Sequence, residues 1–309
     1  MEDGPYDHGM WGYATAGEIE QYRRDGFAVL RDVLDPPEVA AWRATLSQAV
    51  ARREGRLPEP GARYAEFFHS EHEYYDRVFT QKINLWKTDN AVRPLVLSPD
   101  LGRIAAGLSG SPGVRVYLDQ ALVKEPYGNP TAFHVDVPFW AFTSADALTI
   151  WIAMDDATLQ NGCLGYIPGS QREQRFDNAD IGPELGALFE VYPQWKDIEP
   201  VFCPVPAGSA VAHNGLTAHG AGANMTPRPR FAMTVAYMPD GATFNGQQDI
   251  YTTEEAARLQ VGQRLTDPAL NPLVYPSPSA TPAPAAPPAT RDQPGSQARN
   301  RRDVTTRRS

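Results

Sequence analysis

Beyond Gly113 the chain breaks into short β-rich runs separated by turn signals, and this texture limits the fold more than any other feature. The runs are Val114 to Val123, Ala132 to Val137, Leu148 to Met154, Cys163 to Ile167, Val201 to Val205, Ala210 to His213 and Phe231 to Met238. A parallel sheet wants a helix between successive strands, and most gaps here are too short for one, so the spacing points to an antiparallel sandwich or jelly roll. The longer, mixed segment Phe176 to Trp195 reads as a helical insertion over one face. Length alone, 309 residues, does not choose between one large domain and two small ones.

The region before these strands has a helical texture. Thr15-Ala16-Gly17-Glu18 is a capping box that opens a short helix ending near Gly26. Phe27 to Val33 reads as a first strand. Asp35 followed by Pro36 gives an N-cap with proline at N1, and Val39, Trp42, Leu46 and Val50 recur at helical spacing to about Arg53. A Gly- and Pro-rich loop, 55–61, leads into an aromatic and charged stretch from Tyr64 to Trp86 that has no legible period. Ser98-Pro99 starts a helix to about Gly107, and Thr252-Thr253-Glu254-Glu255 caps a last one to about Val261. The organisation expected is one domain over 1–275, helical over about 15–110 with a β core over about 111–240, followed by a disordered Pro/Ala- and Arg-rich tail, 276–309.

Charge narrows the partners. That tail holds six arginines and two aspartates, a balance of +4, so the rest of the chain carries −13 of the total −9. A body this acidic is a poor match for a phosphate backbone, so no nucleic-acid partner is expected. No apolar run approaches the roughly 20 residues that cross a bilayer, and MEDGPYDHGM lacks the basic and apolar regions of a signal peptide, so no membrane association and a cytoplasmic location are expected. The two cysteines, Cys163 and Cys203, are too few for a disulfide framework and read as buried small hydrophobes.

The chemistry concentrates in TAFHVDVPFW, 131–140, where His134 and Asp136 stand two apart in a run that reads as strand. Side chains at i and i+2 of a strand project to one side. With a further histidine from elsewhere they make the two-His-one-carboxylate face that holds non-haem Fe(II) and leaves its other positions open. His69 and His72 lack a carboxylate or cysteine at ligand spacing and read as surface residues. His213 and His219 compete for the third position. An oxo-acid cosubstrate needs a cation near the metal for its far carboxylate, and Arg230 lies eleven residues beyond His219 at the start of the next strand. If that strand pairs beside His219, the guanidinium enters the same mouth. His219 is therefore taken as the ligand and His213 as a supporting or packing residue.

The run from Gln120 to Arg230 resembles the phytanoyl-CoA dioxygenase family of Fe(II)- and 2-oxoglutarate-dependent oxygenases, including its ectoine hydroxylase branch. The resemblance rests on QALVKEP at 120–126, HVD at 134–136, LTIWIAMDDATLQNGCLGYIPGSQ at 148–171 and HGAGANMTPRPR at 219–230, with GFAVLRDVLDPPEV and QKINLWK upstream. It implies an all-β core with flanking helices, a double-stranded β-helix (jelly roll, cupin-like). It also implies that His134, Asp136 and His219 bind Fe(2+), that Arg230 holds the distal carboxylate of 2-oxoglutarate, and that Lys82, Gln120, Thr149 and Trp151 line the cosubstrate pocket. Two departures stand out: Ala221 where many members have serine, and Gln171 where the PGSH motif ends in histidine.

What the resemblance implies is an oxidoreductase, a dioxygenase that consumes 2-oxoglutarate and O2 and hydroxylates an unactivated carbon with succinate and CO2 as coproducts. Asp136 favours hydroxylation, because related halogenases lose this carboxylate to make room for chloride. Phe139 and Trp140 after the HVD triplet, with Asn84 and Trp86 upstream, suggest an aromatic-walled site for a small or medium organic substrate. Two rival readings are a non-catalytic 2-oxoglutarate- and metal-binding protein that kept the fold, and a cupin-type isomerase or hydrolase using another divalent metal without O2.

Overall fold

The computed structural model describes residues 13–53, 74 and 77–276, all within one compact unit. Helix α1 (Ala16–Asp25) opens on Thr15, whose hydroxyl accepts from the Glu18 amide while Glu18 reaches back to the Thr15 amide. It stops at Gly26, whose φ of 85° suits glycine alone. Strand β1 (Phe27–Leu30) leads to α2 (Pro36–Arg53), opened by a reciprocal pair of Asp35 and Glu38 hydrogen bonds. After β2 (Thr80–Ile83) come two single helical turns and then α3 (Pro99–Ser109), capped by the Ser98 hydroxyl.

The β core follows: β3 (Val114–Lys124), β4 (Thr131–His134), β5 (Leu148–Ala153), β6 (Leu164–Tyr166), β7 (Val201–Cys203), β8 (Ala210–Asn214), β9 (His219–Ala221), β10 (Arg230–Pro239) and β11 (Leu273–Tyr275). The larger sheet runs β1-β8-β5-β10-β3-β11, with β2 also on β3, and the smaller runs β4-β9-β6-β7. Every pairing is antiparallel. This is the jelly-roll architecture, an all-β core flanked by helices.

The central strands are buried on both faces, and their two faces do different work. Leu148, Ile150 and Ile152 of β5, with Phe231, Met233 and Val235 of β10, pack with Leu46 of α2 and Ile104 of α3. Each such side chain contributes about 1.5–3 kcal/mol through burial. The alternate residues, Thr149 and Trp151 of β5, Gln120 and Lys124 of β3, and Arg230 and Thr234 of β10, turn to a cavity between the sheets. Period-two alternation thus places polar side chains inside the protein without placing them in the apolar layer.

Several expectations need correction. The strand expected over Ala132 to Val137 ends at His134, and Asp136 has helical backbone angles (φ −77°, ψ −51°) at the start of a 3-10 turn over Val137–Phe139. Pro138 offers no amide to a ladder, and the Asp136 and Val137 amides both donate to the Gly215 carbonyl instead. The expected helical insertion is largely irregular, with only Leu188–Val191 and the 3-10 turn Pro193–Trp195 helical. Gly182-Pro183 and Pro193 interrupt it, and it is held by packing of Tyr192, Trp195 and Leu188 on Val135 and Ile167. Strands β2, β9 and β11 carry too few residues to show a period. His69, His72 and the tail from 277 lie outside the described residues.

Candidate metal centre

The smaller sheet sets His134 and His219 opposite one another as register partners on β4 and β9, their ring centroids 4.2 Å apart. Each imidazole is turned by its own strand: Nδ1 lies 2.9 Å from the carbonyl two residues back, Ala132 for His134 and Thr217 for His219. A carbonyl only accepts, so both Nδ1 atoms carry the proton and both Nε2 lone pairs point away from the backbone. Asp136 meets them from the turn. Its Oδ1 lies 3.6 Å from His134 Nε2 and 3.8 Å from His219 Nε2. One ligand atom from each of the three residues lies within 4.8 Å of the others. The convergence is real, but a turn rather than strand alternation brings Asp136 to it.

The other carboxylate oxygen is fully committed. Asp136 Oδ2 accepts from Thr149 Oγ at 3.1 Å and from His213 Nε2 at 3.3 Å, these two being cross-strand partners on β5 and β8. His213 Nδ1 in turn accepts from the Tyr166 hydroxyl at 3.0 Å, which fixes the tautomer that donates to Asp136. His213 therefore supports the carboxylate and is not part of the converging trio. Burial works against ionising Asp136, and the imidazoles of His219, His134 and His213 outweigh it, holding the carboxyl well below its ordinary range. Burial beside His134 and His213 holds His219 well below its ordinary value, so it is neutral. An ionised carboxylate at Asp136 and a neutral imidazole at His219 are protonation states that binding a divalent metal requires. Two nitrogens and one oxygen on a single face, with the opposite side open to a cavity, suit Fe(II).

Farther along the larger sheet lies Arg230, 3% exposed, with its guanidinium 5.0 Å over the Trp151 ring. Its Nη2 donates to the Gly162 carbonyl at 3.1 Å, while Nε and Nη1 find no acceptor among the described residues. A buried cation with orphaned donors is costly unless an anion completes it. Burial has already pushed Arg230 down to about 10. The residues therefore fit a keto diacid as well as a metal.

The same cavity is lined by Gln120, Thr149, Trp151, Phe139 and Trp140, which the sequence brought forward for cosubstrate and substrate. Lys82, Asn84 and Trp86 do not line it. On β2 the alternation turns Gln81 and Ile83 to the cavity and Lys82, between them, away. Asn84 occupies a left-handed position (φ 54°) at the head of the turn Leu85–Thr88. Trp86, 2% exposed, packs in the helical core under the Arg93 guanidinium. Arg230 also reaches the cavity differently from expectation, because β10 pairs with β3 and β5 and not with the strand of His219. Sequence reasoning missed Lys124, Asp249 and Tyr166. Lys124 had a signal, a lysine at even spacing from Gln120 in an apolar run; Asp249, on a loop, had none.

Comparison with known proteins agrees with this geometry. The family model described as Phytanoyl-CoA dioxygenase (PhyH) matches residues 22–232. A curated relative, the ectoine dioxygenase of Bordetella parapertussis (strain 12822 / ATCC BAA-587 / NCTC 13253), is 26% identical over 267 residues, covering 75% of this chain and 77% of its own. Among solved structures, the non-heme alpha ketoglutarate dependent carbocyclase SnoK from nogalamycin biosynthesis superposes with a TM-score of 0.67 at 30% identity, covering 84% of this chain and 96% of that one. The epimerase SnoN in complex with Fe3+, alpha ketoglutarate and nogalamycin RO gives a TM-score of 0.67 at 28% identity, covering 84% and 97%.

Proposed function

The chain belongs to the phytanoyl-CoA dioxygenase family and is a 2-oxoglutarate-dependent non-haem iron dioxygenase, and on that premise we propose that it hydroxylates an unactivated carbon of a small or medium organic molecule, with succinate and CO2 as coproducts. The single observation that carries this reading is the pairing of a convergent His134, Asp136 and His219 trio with a buried guanidinium whose donors lack partners in one cavity.

Iron with 2-oxoglutarate and O2 supplies the oxidising power for breaking a strong C–H bond. The chain supplies the rest. His134, Asp136 and His219 would hold the metal through Nε2, Oδ1 and Nε2. Thr149 and His213 fix Asp136 through Oδ2, so its free oxygen keeps its aim. Arg230 would take the distal carboxylate of 2-oxoglutarate, and Gln120, hydrogen-bonded to Thr234 at 3.1 Å, borders the same space with Trp151. Phe139 and Trp140 would pack the substrate and exclude water. Incubation with iron, 2-oxoglutarate, O2 and a library of small molecules tests this: succinate must form in step with a product that has gained oxygen.

A second outcome is favoured by the likeness to SnoK and SnoN, whose names record a carbocyclase and an epimerase. The same site would then take one hydrogen from each of the two atoms that join to close a ring, both leaving in water, and the product would form with succinate, two hydrogens lighter and without a new oxygen. Product mass separates the two.

A further inference from the structure

One carboxyl in the cavity has no part in holding metal or cosubstrate. Asp249 sits on the loop that follows β10, with left-handed backbone (φ 41°), and lines the cavity with Phe139, Trp140 and Ile250. This loop is tied to the chain just beyond the turn of Asp136: the Asn245 amide donates to the Ala141 carbonyl at 2.9 Å, and Asn245 Nδ2 to the Trp140 carbonyl at 3.0 Å. The Tyr117 hydroxyl accepts from the Ala141 amide at 2.8 Å and gives its own proton to Asp249 Oδ2. Beyond that hydroxyl and the neighbouring Ile250 amide, no hydrogen bond or ion pair reaches the Asp249 carboxyl among the described residues. Burial pushes the carboxyl up to about 7, against both donors. A carboxylate enclosed in this way is costly to ionise until a cation arrives to pair with it.

Its place in the cavity separates it from the cosubstrate. Arg230 and its register partner Lys124 stand at one end, while Ala236 and Leu118, partners six residues farther along the same two strands, line the other. At about 3.3 Å per residue those ends are roughly 20 Å apart. Tyr117, which holds Asp249, adjoins Leu118, and Thr149, which holds Asp136, is the β5 partner of Ala236. A five-carbon diacid anchored on Arg230 is too short to span that distance, so Asp249 is left to a different molecule. The aromatic faces of Phe139 and Trp140 beside a carboxylate attract an ammonium as well as an apolar body.

We propose that Asp249 is the anionic anchor for a substrate that carries a basic amine, whose apolar body packs on Phe139 and Trp140. The proposal rests on the oxygenase reading above and names the class of substrate for that same site. Tyr117 is a positioning residue here, because it occupies Oδ2 and leaves Oδ1 for the ligand. Asp249→Asn keeps the size, tolerates the left-handed backbone and still offers an oxygen to Tyr117, but removes the charge. Asp249→Gly suits the same backbone angle and removes the side chain altogether.

The test is calorimetric titration, without O2, of benzylamine and of benzyl alcohol into the full chain loaded with Mn(II) and 2-oxoglutarate. The two probes are alike in shape; only the amine is charged at neutral pH, and in its protonated form it cannot ligate the metal. The wild type should bind benzylamine about 10- to 100-fold more tightly than benzyl alcohol, and both variants should bind the two probes alike. Binding of Mn(II) and 2-oxoglutarate by the variants, neither of which Asp249 touches, reports that they are folded. Equal affinity of the wild type for the two probes, or a preference for the amine that survives in Asp249→Asn and Asp249→Gly, would overturn the proposal. Failure of the wild type itself to bind 2-oxoglutarate would instead bring down the parent reading.

Discussion

His213 offers a sharp test of how the metal site is held, because it touches the carboxylate and not the ion. Replacing it with leucine fills much of the same buried space on β8 and removes the 3.3 Å hydrogen bond to Asp136 Oδ2, leaving Thr149 as the remaining support. A hydrogen bond to an ionised group contributes about 1.5–3 kcal/mol, and losing a group that orients a ligand costs about 10- to 100-fold in metal affinity. His213→Leu should therefore weaken Mn(II) or Fe(II) binding by that factor. Tyr166→Phe should weaken it less, about 10-fold at most, because it frees the tautomer without removing the imidazole. The stacking of ring 166 on Phe27, at 4.5 Å, is kept. The pH dependence has a definite sign. His213 is one of the groups that hold Asp136 well below its ordinary range. Its loss raises that value, so metal binding, which needs the carboxylate ionised, fails at a higher pH on acidification than in the wild type. Anaerobic metal titration by calorimetry across pH 4–7 reads both effects. Wild-type affinity and an unshifted acid limb in His213→Leu would refute the argument that Oδ2 support matters.

Two further substitutions separate the site from the scaffold. Asp136→Ala removes the only carboxylate of the trio and should abolish succinate formation and product turnover together; wild-type-like turnover would eliminate the trio. Trp86→Ala, in the helical core and away from the cavity, should cost about 3–5 kcal/mol of stability in chemical denaturation and leave the substrate KM unchanged below its unfolding transition. Trp140→Ala should do the reverse, raising KM, since Trp140 lines the cavity.

The sequence carried the fold where local chemistry was strong. Both capping boxes, at Thr15 and Thr252, stand as read, and the long apolar runs became β3, β5 and β10. It read the three-residue strands β6 and β7 from their apolar runs but missed β9, His219-Gly220-Ala221, which is too short and too small-residue to show a period, although it positions a proposed ligand. The site shows the same division. His134 and Asp136 were legible as a pair, but the supposed reason was wrong, since Pro138 and the Gly215 carbonyl convert strand to turn between them. Lys82, Asn84 and Trp86 were misplaced because membership of a motif does not say which face a side chain takes; on β2 the register turned Lys82 away from the cavity. Tyr166 and Asp249 were invisible because their roles come from contacts more than forty residues away in sequence: His213 for Tyr166, and for Asp249 the Tyr117 hydroxyl.

The convergence of His134, Asp136 and His219 on one metal ion facing Arg230 is tested most directly by titrating Mn(II), and then 2-oxoglutarate, into wild type, His219→Ala and Arg230→Met without O2. The expected result is one tight Mn(II) per wild-type chain and 2-oxoglutarate binding that requires it, metal binding lost in His219→Ala, and metal binding kept but 2-oxoglutarate affinity lost in Arg230→Met. Tight binding of both by His219→Ala, or 2-oxoglutarate binding indifferent to Arg230, would contradict it.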